Sequence, residues 1–172
     1  MLAVGPSIAP GWLTQAATFM LNVALVEPEI PQNTGNIARL CAATMTPLHI
    51  VGVTGFRLDD RAVRRAGLDY WDEVALRRHR DLDALYTFLP QTRFLYFSTK
   101  ATQPYHQYFF NQEDCLVFGS ETRGLPEDLL RNNADRALTI PMLNPKVRSL
   151  NLANAVAIVL YEALRQIEEG KR

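Results

Sequence analysis

The sequence predicts an α/β fold, a parallel sheet with helices on both faces and, in its last third, the helix that closes it. Two observations carry that prediction. Short apolar runs bounded by turn residues recur along the chain, and segments with helical spacing separate them. Alternation of strand and helix in one chain is the pattern of parallel crossover units, because each parallel connection needs a helix to return it to the same sheet edge.

The elements follow in order. Residues 21–26 are apolar, end at Glu27-Pro28 and read as a buried strand, and residues 48–53 read as a second. Between them, Ile37, Leu40 and Cys41 fall at helical spacing within residues 34–43, which makes strand, helix, strand. Charged helices are expected near residues 59–66 and 82–89, with strands at residues 93–97, 115–118 and 137–140. The cleanest periodicity is in the final helix, where Leu152, Ala155, Val156, Val159, Leu160, Ala163, Leu164 and Ile167 recur in steps of three and one. Ile158 and Tyr161 lie beside that stripe; they either pack inside the monomer or meet a second subunit.

A chain of 172 residues, 48% hydrophobic, is ordinary for one domain and long enough to build a core without disulfides or a structural metal. Residues 20–172 are read as that domain, and residues 1–19 as a disordered extension ahead of it. The first 26 residues carry no charged side chain, yet Gly5-Pro6-Ser7 and Pro10-Gly11 interrupt any membrane span, and no basic stretch marks a signal peptide. Cys41 and Cys115 sit in apolar runs without C-x-x-C spacing, as buried thiols of a reducing compartment do, so a cytoplasmic location is expected. Lys+Arg 18 against Asp+Glu 18 leaves no net charge, so a nucleic-acid surface must be a local patch.

Several chemistries are excluded by their motifs. Gly119 and Gly124 have phosphate-loop spacing, but Leu125-Pro126 follows where Lys-Ser/Thr is required. No dinucleotide fingerprint, nucleophile elbow or zinc-protease motif occurs, and His49, His79 and His106 are scattered, so no metal is expected.

Three polar loops have no structural reason to be where they are. Residues 27–39 leave the first strand and enter a helix; Asn33 or Thr34 can cap it, but capping does not explain Asn33, Asn36 and Arg39 together. Asn36 and Arg39 share a helix face near the helix N-terminus, where a phosphate or ribose would be favoured. Residues 118–126 follow another strand: Gly119 permits close backbone approach, and Glu121 and Arg123 supply charge, either for a ligand or as a solvated ion pair in a tight turn. Residues 140–154 link a strand to the last helix; Ser149 or Asn151 can cap it, which leaves Arg148 and Asn154 unexplained. Strand ends in α/β sheets are where ligands bind, so the three loops suggest one composite site. Elsewhere, Arg57, Arg61, Arg64, Arg65, Arg77, Arg78, His79 and Arg80 form a basic cluster interleaved with acids, either a solvated face or an RNA-backbone contact.

Together the loops resemble the three motifs of the SpoU/TrmH class of SPOUT RNA 2′-O-ribose methyltransferases: N-x-G-N-x-x-R at residues 33–39, F-G-x-E-x-x-G-L at residues 118–125, and I-P-M followed by S-L-N-x-A-N-A up to Ala155. Leu-Asp-Tyr-Trp after Arg-Arg-Ala-Gly is similar to the short TrmL-like branch, which modifies the wobble ribose of tRNA. The resemblance implies a C-terminal deep trefoil knot, a homodimer with its site completed across the interface, and S-adenosyl-L-methionine as cofactor. By motif position it assigns Phe97, Gly119, Ile140 and Ser149 to the cofactor. It assigns Arg39 to catalysis, with Asn33, Glu121, Ser149 and Asn151 orienting it and the ribose, and places Asn36, Arg123, Arg148 and Asn154 toward RNA. Arg39 is read as holding a phosphate and stabilising an oxyanion, since a guanidinium is not deprotonated in a protein. The alternatives are the same chemistry at another tRNA or rRNA position, and a non-catalytic RNA-binding dimer. The latter should have lost Arg39, Gly119 or Ser149-x-Asn151, all of which are present.

Overall fold

Strands β1 (Asn22–Val26), β2 (Leu48–Val51), β3 (Leu76–His79), β4 (Arg93–Phe97), β5 (Gln103–Pro104), β6 (Asp114–Phe118) and β7 (Ala137–Thr139) form one sheet in the computed structural model, which describes residues 21–57 and 73–170. Their order is β3-β2-β1-β6-β4-β7-β5, and every pairing is parallel. Helices α1 (Pro31–Thr44), α2 (Leu82–Phe88), α3 (Glu127–Asn132) and α4 (Leu152–Glu169), with short 3-10 helices at Tyr105–Gln107 and Ala134–Arg136, complete the described elements.

Both faces of the sheet are covered, which is why its central strands are apolar at nearly every position rather than at alternate ones. Leu95 and Phe97 of β4 and Leu116 and Phe118 of β6 face α1 and α4, where Ile37, Cys41, Val156, Val159 and Leu160 meet them. The intervening Phe94, Tyr96, Cys115 and Val117 face α2 and α3, against Leu85 and Leu130. A charged pair reaches in from the surface: Arg93 donates to both oxygens of buried Asp114 at 2.7 Å, tying β4 to β6. Both thiols are buried, and burial pushes Cys41 up to about 12. No described helix is long and apolar enough to cross a membrane.

The α/β class and the alternating order hold, with several corrections. The basic run at residues 77–80 lies largely in β3, which was not expected as a strand, and β5 and α3 were also unforeseen. β2 stops at Val51 because Gly52 turns the chain with φ 80°, leaving Val53 exposed. α1 starts three residues before Thr34, at Pro31, whose missing N–H is no loss in a first turn. The extension at residues 1–19, the charged helix at residues 59–66 and Arg61, Arg64 and Arg65 lie outside the described residues.

Parallel pairing puts the C-terminal ends of all the strands on one sheet edge. The loops after β1, β4, β6 and β7 therefore emerge side by side there, as in other open α/β sheets with a ligand crevice.

Candidate active site

The loops after β1, β4, β6 and β7 enclose a cavity of about 600 Å³. Nine of the twelve residues singled out in the sequence line it: Asn33, Phe97, Gly119, Glu121, Arg123, Ile140, Arg148, Ser149 and Asn151. Asn36, Arg39 and Asn154 do not.

A chain of hydrogen bonds joins three of these loops. Asn33 Nδ2 donates to Glu121 Oε1 at 2.9 Å, and Asn151 Nδ2 donates to Asn33 Oδ1 at 2.9 Å. The Glu121 carboxylate also accepts the backbone N–H groups of Glu29 (2.8 Å) and Ile30 (3.2 Å). α1 has no side-chain cap of its own, so a carboxylate borrowed from some ninety residues away sits at its positive end. Asn151 does cap α4, accepting from Ala153 N–H at 3.0 Å and Asn154 N–H at 3.3 Å, and its amide remains available for Asn33. Capping and site-building are the same residue here.

A second set of contacts binds the first two loops at the rim. Glu27 holds a left-handed φ of 49°, unusual for a side-chain-bearing residue, with its N–H donating to Val51 O at 2.8 Å. Arg123 Nη2 donates to Glu27 Oε2 at 3.0 Å and its Nε lies 3.8 Å from Glu29, while Thr122 Oγ1 donates to Glu29 Oε2 at 2.6 Å. Glu121 and Arg123 are thus not paired with each other; each reaches across to the loop after β1.

Three expectations are corrected. An added Cβ on Gly119 would overlap the backbone of Gly124 and Leu125, so the close approach that requires glycine is to its own loop, pinned by the Ser120–Gly124 bridge. Neither Asn33 nor Thr34 caps α1; both are buried in its first turns. Arg39 is in the third turn, about 9 Å beyond Asn33 along the axis and roughly 240° around it, beyond reach of the helix terminus. Asn36 and Arg39 are both exposed on α1, and neither lines this cavity. Asn154 is likewise exposed, on α4.

Sequence reasoning missed Lys100, at the rim and paired with Glu127, and the pairing role of Glu29. The position of Lys100, three residues past the end of β4, was the available signal.

The cavity suits a ligand that is flat and apolar at one end and charged at the other. Phe97 stacks on Phe118 with centroids 4.7 Å apart, and with Leu125, Ile140 and Leu152 makes an apolar wall. Ser98, Thr99, Glu121 and Ser149 supply hydroxyl and carboxylate groups. An adenosyl group joined to an amino acid has this division, so the residues present fit S-adenosyl-L-methionine.

A model of the SpoU rRNA Methylase family matches residues 20–161. This chain belongs to the SpoU methylase family. Among curated members, the tRNA (cytidine(34)-2′-O)-methyltransferase of Escherichia coli strain K12 is 48% identical over 149 residues, 86% of this chain and 94% of that protein. A solved structure described as giving structural insights into 2-OH methylation of C/U34 on tRNA superposes with a TM-score of 0.82 at 45% identity, covering 89% of this chain and 98% of that one. The AdoMet-bound rRNA methyltransferase of Sinorhizobium meliloti superposes with a TM-score of 0.76 at 25% identity, over 85% of this chain and 56% of that one. This SpoU methylase is thus similar both to a tRNA enzyme of about its own length and to about half of a longer rRNA methyltransferase.

Proposed function

We propose that this SpoU methylase transfers the methyl group of S-adenosyl-L-methionine to the ribose 2′-oxygen of the wobble nucleotide, position 34, in tRNA anticodon loops. The observation that carries the reading is the Glu121–Asn33–Asn151 chain, which joins all three family motifs around one cavity. Near-full-length identity to a position-34 enzyme supports the substrate.

When bound, the cofactor supplies an electrophilic sulfonium methyl, and the protein's task is alignment rather than covalent catalysis. Phe97, Gly119, Ile140 and Ser149, which all line the cavity, would hold the cofactor. Arg123 and Arg148 face incoming RNA at the rim.

Arg39 acts from a second copy of the chain. Asn36 and Arg39 on α1 and Asn154 on α4 are exposed, and these two helices pack together. Ile158, 38% exposed, and Tyr161, 55% exposed, lie on the same helix, an apolar surface suited to a homodimer. Laid against a partner's cavity, the Arg39 guanidinium stays charged, grips a substrate phosphate and stabilises negative charge as the 2′-oxygen loses its proton.

The strand order supports the trefoil knot, since β7 lies between β4 and β5 while the 98–102 connection passes from one to the other. Reduced, buried cysteines and a tRNA substrate fit a cytoplasmic enzyme.

The test is transfer of labelled methyl from S-adenosyl-L-methionine to small RNA from a strain lacking the gene, with the product nucleoside mapped by mass spectrometry. A 2′-O-methyl group at position 34, absent with Arg39→Ala, is expected. Methylation at another position, or cofactor binding without transfer to any RNA, overturns the reading.

A further inference from the structure

A recess of about 780 Å³ lies between α2 and β3, the edge strand of the sheet among the described residues, and the mechanism above does not use it. Arg77, Arg78 and Arg80 line it and are exposed. Charge on an edge strand can serve only to prevent strand pairing with other molecules. Here it is accompanied by construction that such protection does not need. The Arg77 guanidinium is held 4.8 Å above the Phe88 ring. That ring also packs on His49 and His79, whose Nδ1 and Nε2 are hydrogen-bonded at 2.9 Å, and His49 Nε2 continues to Asn22 Oδ1 at 3.0 Å. The floor is anchored three strands deep, in buried Asn22 of β1.

Among the described residues the electrostatic balance is positive. Asp83 is the acid lining the recess, and Asp81 is occupied by capping α2 and pairing with Arg80. Neither Arg77 nor Arg78 makes an ion pair with a described residue. In a protein of zero net charge this is the kind of local patch an RNA-binding chain requires.

Its place relative to the cavity is fixed by register. His79 pairs with Val51 and Val51 with Val26, one residue beyond the level at which Leu25 pairs with Phe118. The C-terminal end of β3, which lines the recess, therefore lies at the same sheet edge as the cavity, three strand spacings, roughly 14 Å, from β6. We propose that this recess is a second RNA contact, in which Arg77 and Arg78 grip the phosphate backbone of the substrate while the cavity receives the reacting nucleotide. The inference rests on the reading of the substrate as RNA. Arginine forks match phosphate oxygens bidentately, and such contacts position an RNA without reading its bases. An acidic protein is the other occupant such a patch could take, and the experiment separates them.

The experiment measures equilibrium binding of full-length protein to tRNA, with and without Arg77→Gln/Arg78→Gln, across about 50–200 mM salt. Two lost phosphate contacts should lower the slope of log affinity against log salt by about 1.4–1.8, equally for different tRNA sequences. S-adenosyl-L-methionine affinity should not change. Arg131→Gln, which removes a charge elsewhere, should leave the slope intact, and Arg78→Gln alone supplies a milder variant that keeps Arg77 over Phe88. An unaltered slope in folded variants, with wild-type methylation intact, overturns the inference and leaves the activity standing. Arginine-dependent tRNA binding without methyl transfer does the reverse. Failure of the wild type to bind any RNA overturns both, and points to an acidic protein on this patch.

Discussion

Replacing Glu121 with Ala should both loosen the fold and empty the cavity of its order, because this one carboxylate accepts three hydrogen bonds from the loop after β1 and α1: from Glu29 N–H, Ile30 N–H and Asn33 Nδ2. Hydrogen bonds to a charged group are worth about 1.5–3 kcal/mol each when well buried. Two of these are part-buried and the one from Ile30 is exposed, so about 1 kcal/mol each is the upper scale, or up to about 3 kcal/mol together. For a chain of this length each kcal/mol lowers the melting temperature by about 2–4 °C, giving an expected drop of up to about 6–12 °C. The assay is thermal denaturation at fixed protein concentration, followed by a double-mutant cycle with Asn151→Ala. Because Asn33 links the two residues, their effects should be non-additive by at least about 0.5 kcal/mol. A melting temperature within 2 °C of wild type, as an approximate threshold on that scale, or strict additivity, would refute the claim that this chain of contacts holds the three loops together.

Gly119→Ala should abolish cofactor binding in calorimetry, since its Cβ overlaps backbone at Gly124 and Leu125 that cannot yield. Arg39→Ala should retain cofactor affinity but lose about 10²–10³ in turnover, the usual scale for one oxyanion-stabilising group; equal loss of cofactor binding would place Arg39 elsewhere. Ile158→Asp with Tyr161→Asp should shift sedimentation toward monomer and abolish transfer together. Burial, with like charge from His79 and Arg77, lowers His49 from 6.5 to about 4. The unfolded chain then binds more protons over that interval, so stability falls as pH is lowered from 6.5 toward 4, by up to about 3 kcal/mol. His49→Gln should flatten that slope in denaturant titrations. The hydrogen bond from Arg165 that holds Glu162 down at about 2 acts over a lower window, between 4.5 and 2, and leaves the upper interval to the histidines.

The central strands were legible because burial on both faces makes β1, β2, β4 and β6 apolar at nearly every position. β3 was not, because an edge strand needs one buried flank only, and its Arg77, Arg78 and His79 read as a charged cluster. The two-residue β5 and the six-residue α3 are too short for any periodicity. In the site, polar residues gathered at strand ends had no packing reason to be there, so the three loops stood out and their convergence followed from parallel topology. Which side chains share one cavity was not legible. Asn33 and Arg39 are close in sequence, and helix rotation separates them. Glu121 and Arg123 read equally well as a local ion pair until the loop after β1 was in place to receive both.

The most direct measurement compares two synthetic anticodon stem-loops that differ only in the presence of the 2′-hydroxyl at position 34. Methyl transfer to the hydroxyl-bearing RNA and none to its 2′-deoxy counterpart is expected if the cavity delivers the methyl to that ribose oxygen. Equal methylation of both would place the methyl on a base or another nucleotide and contradict it.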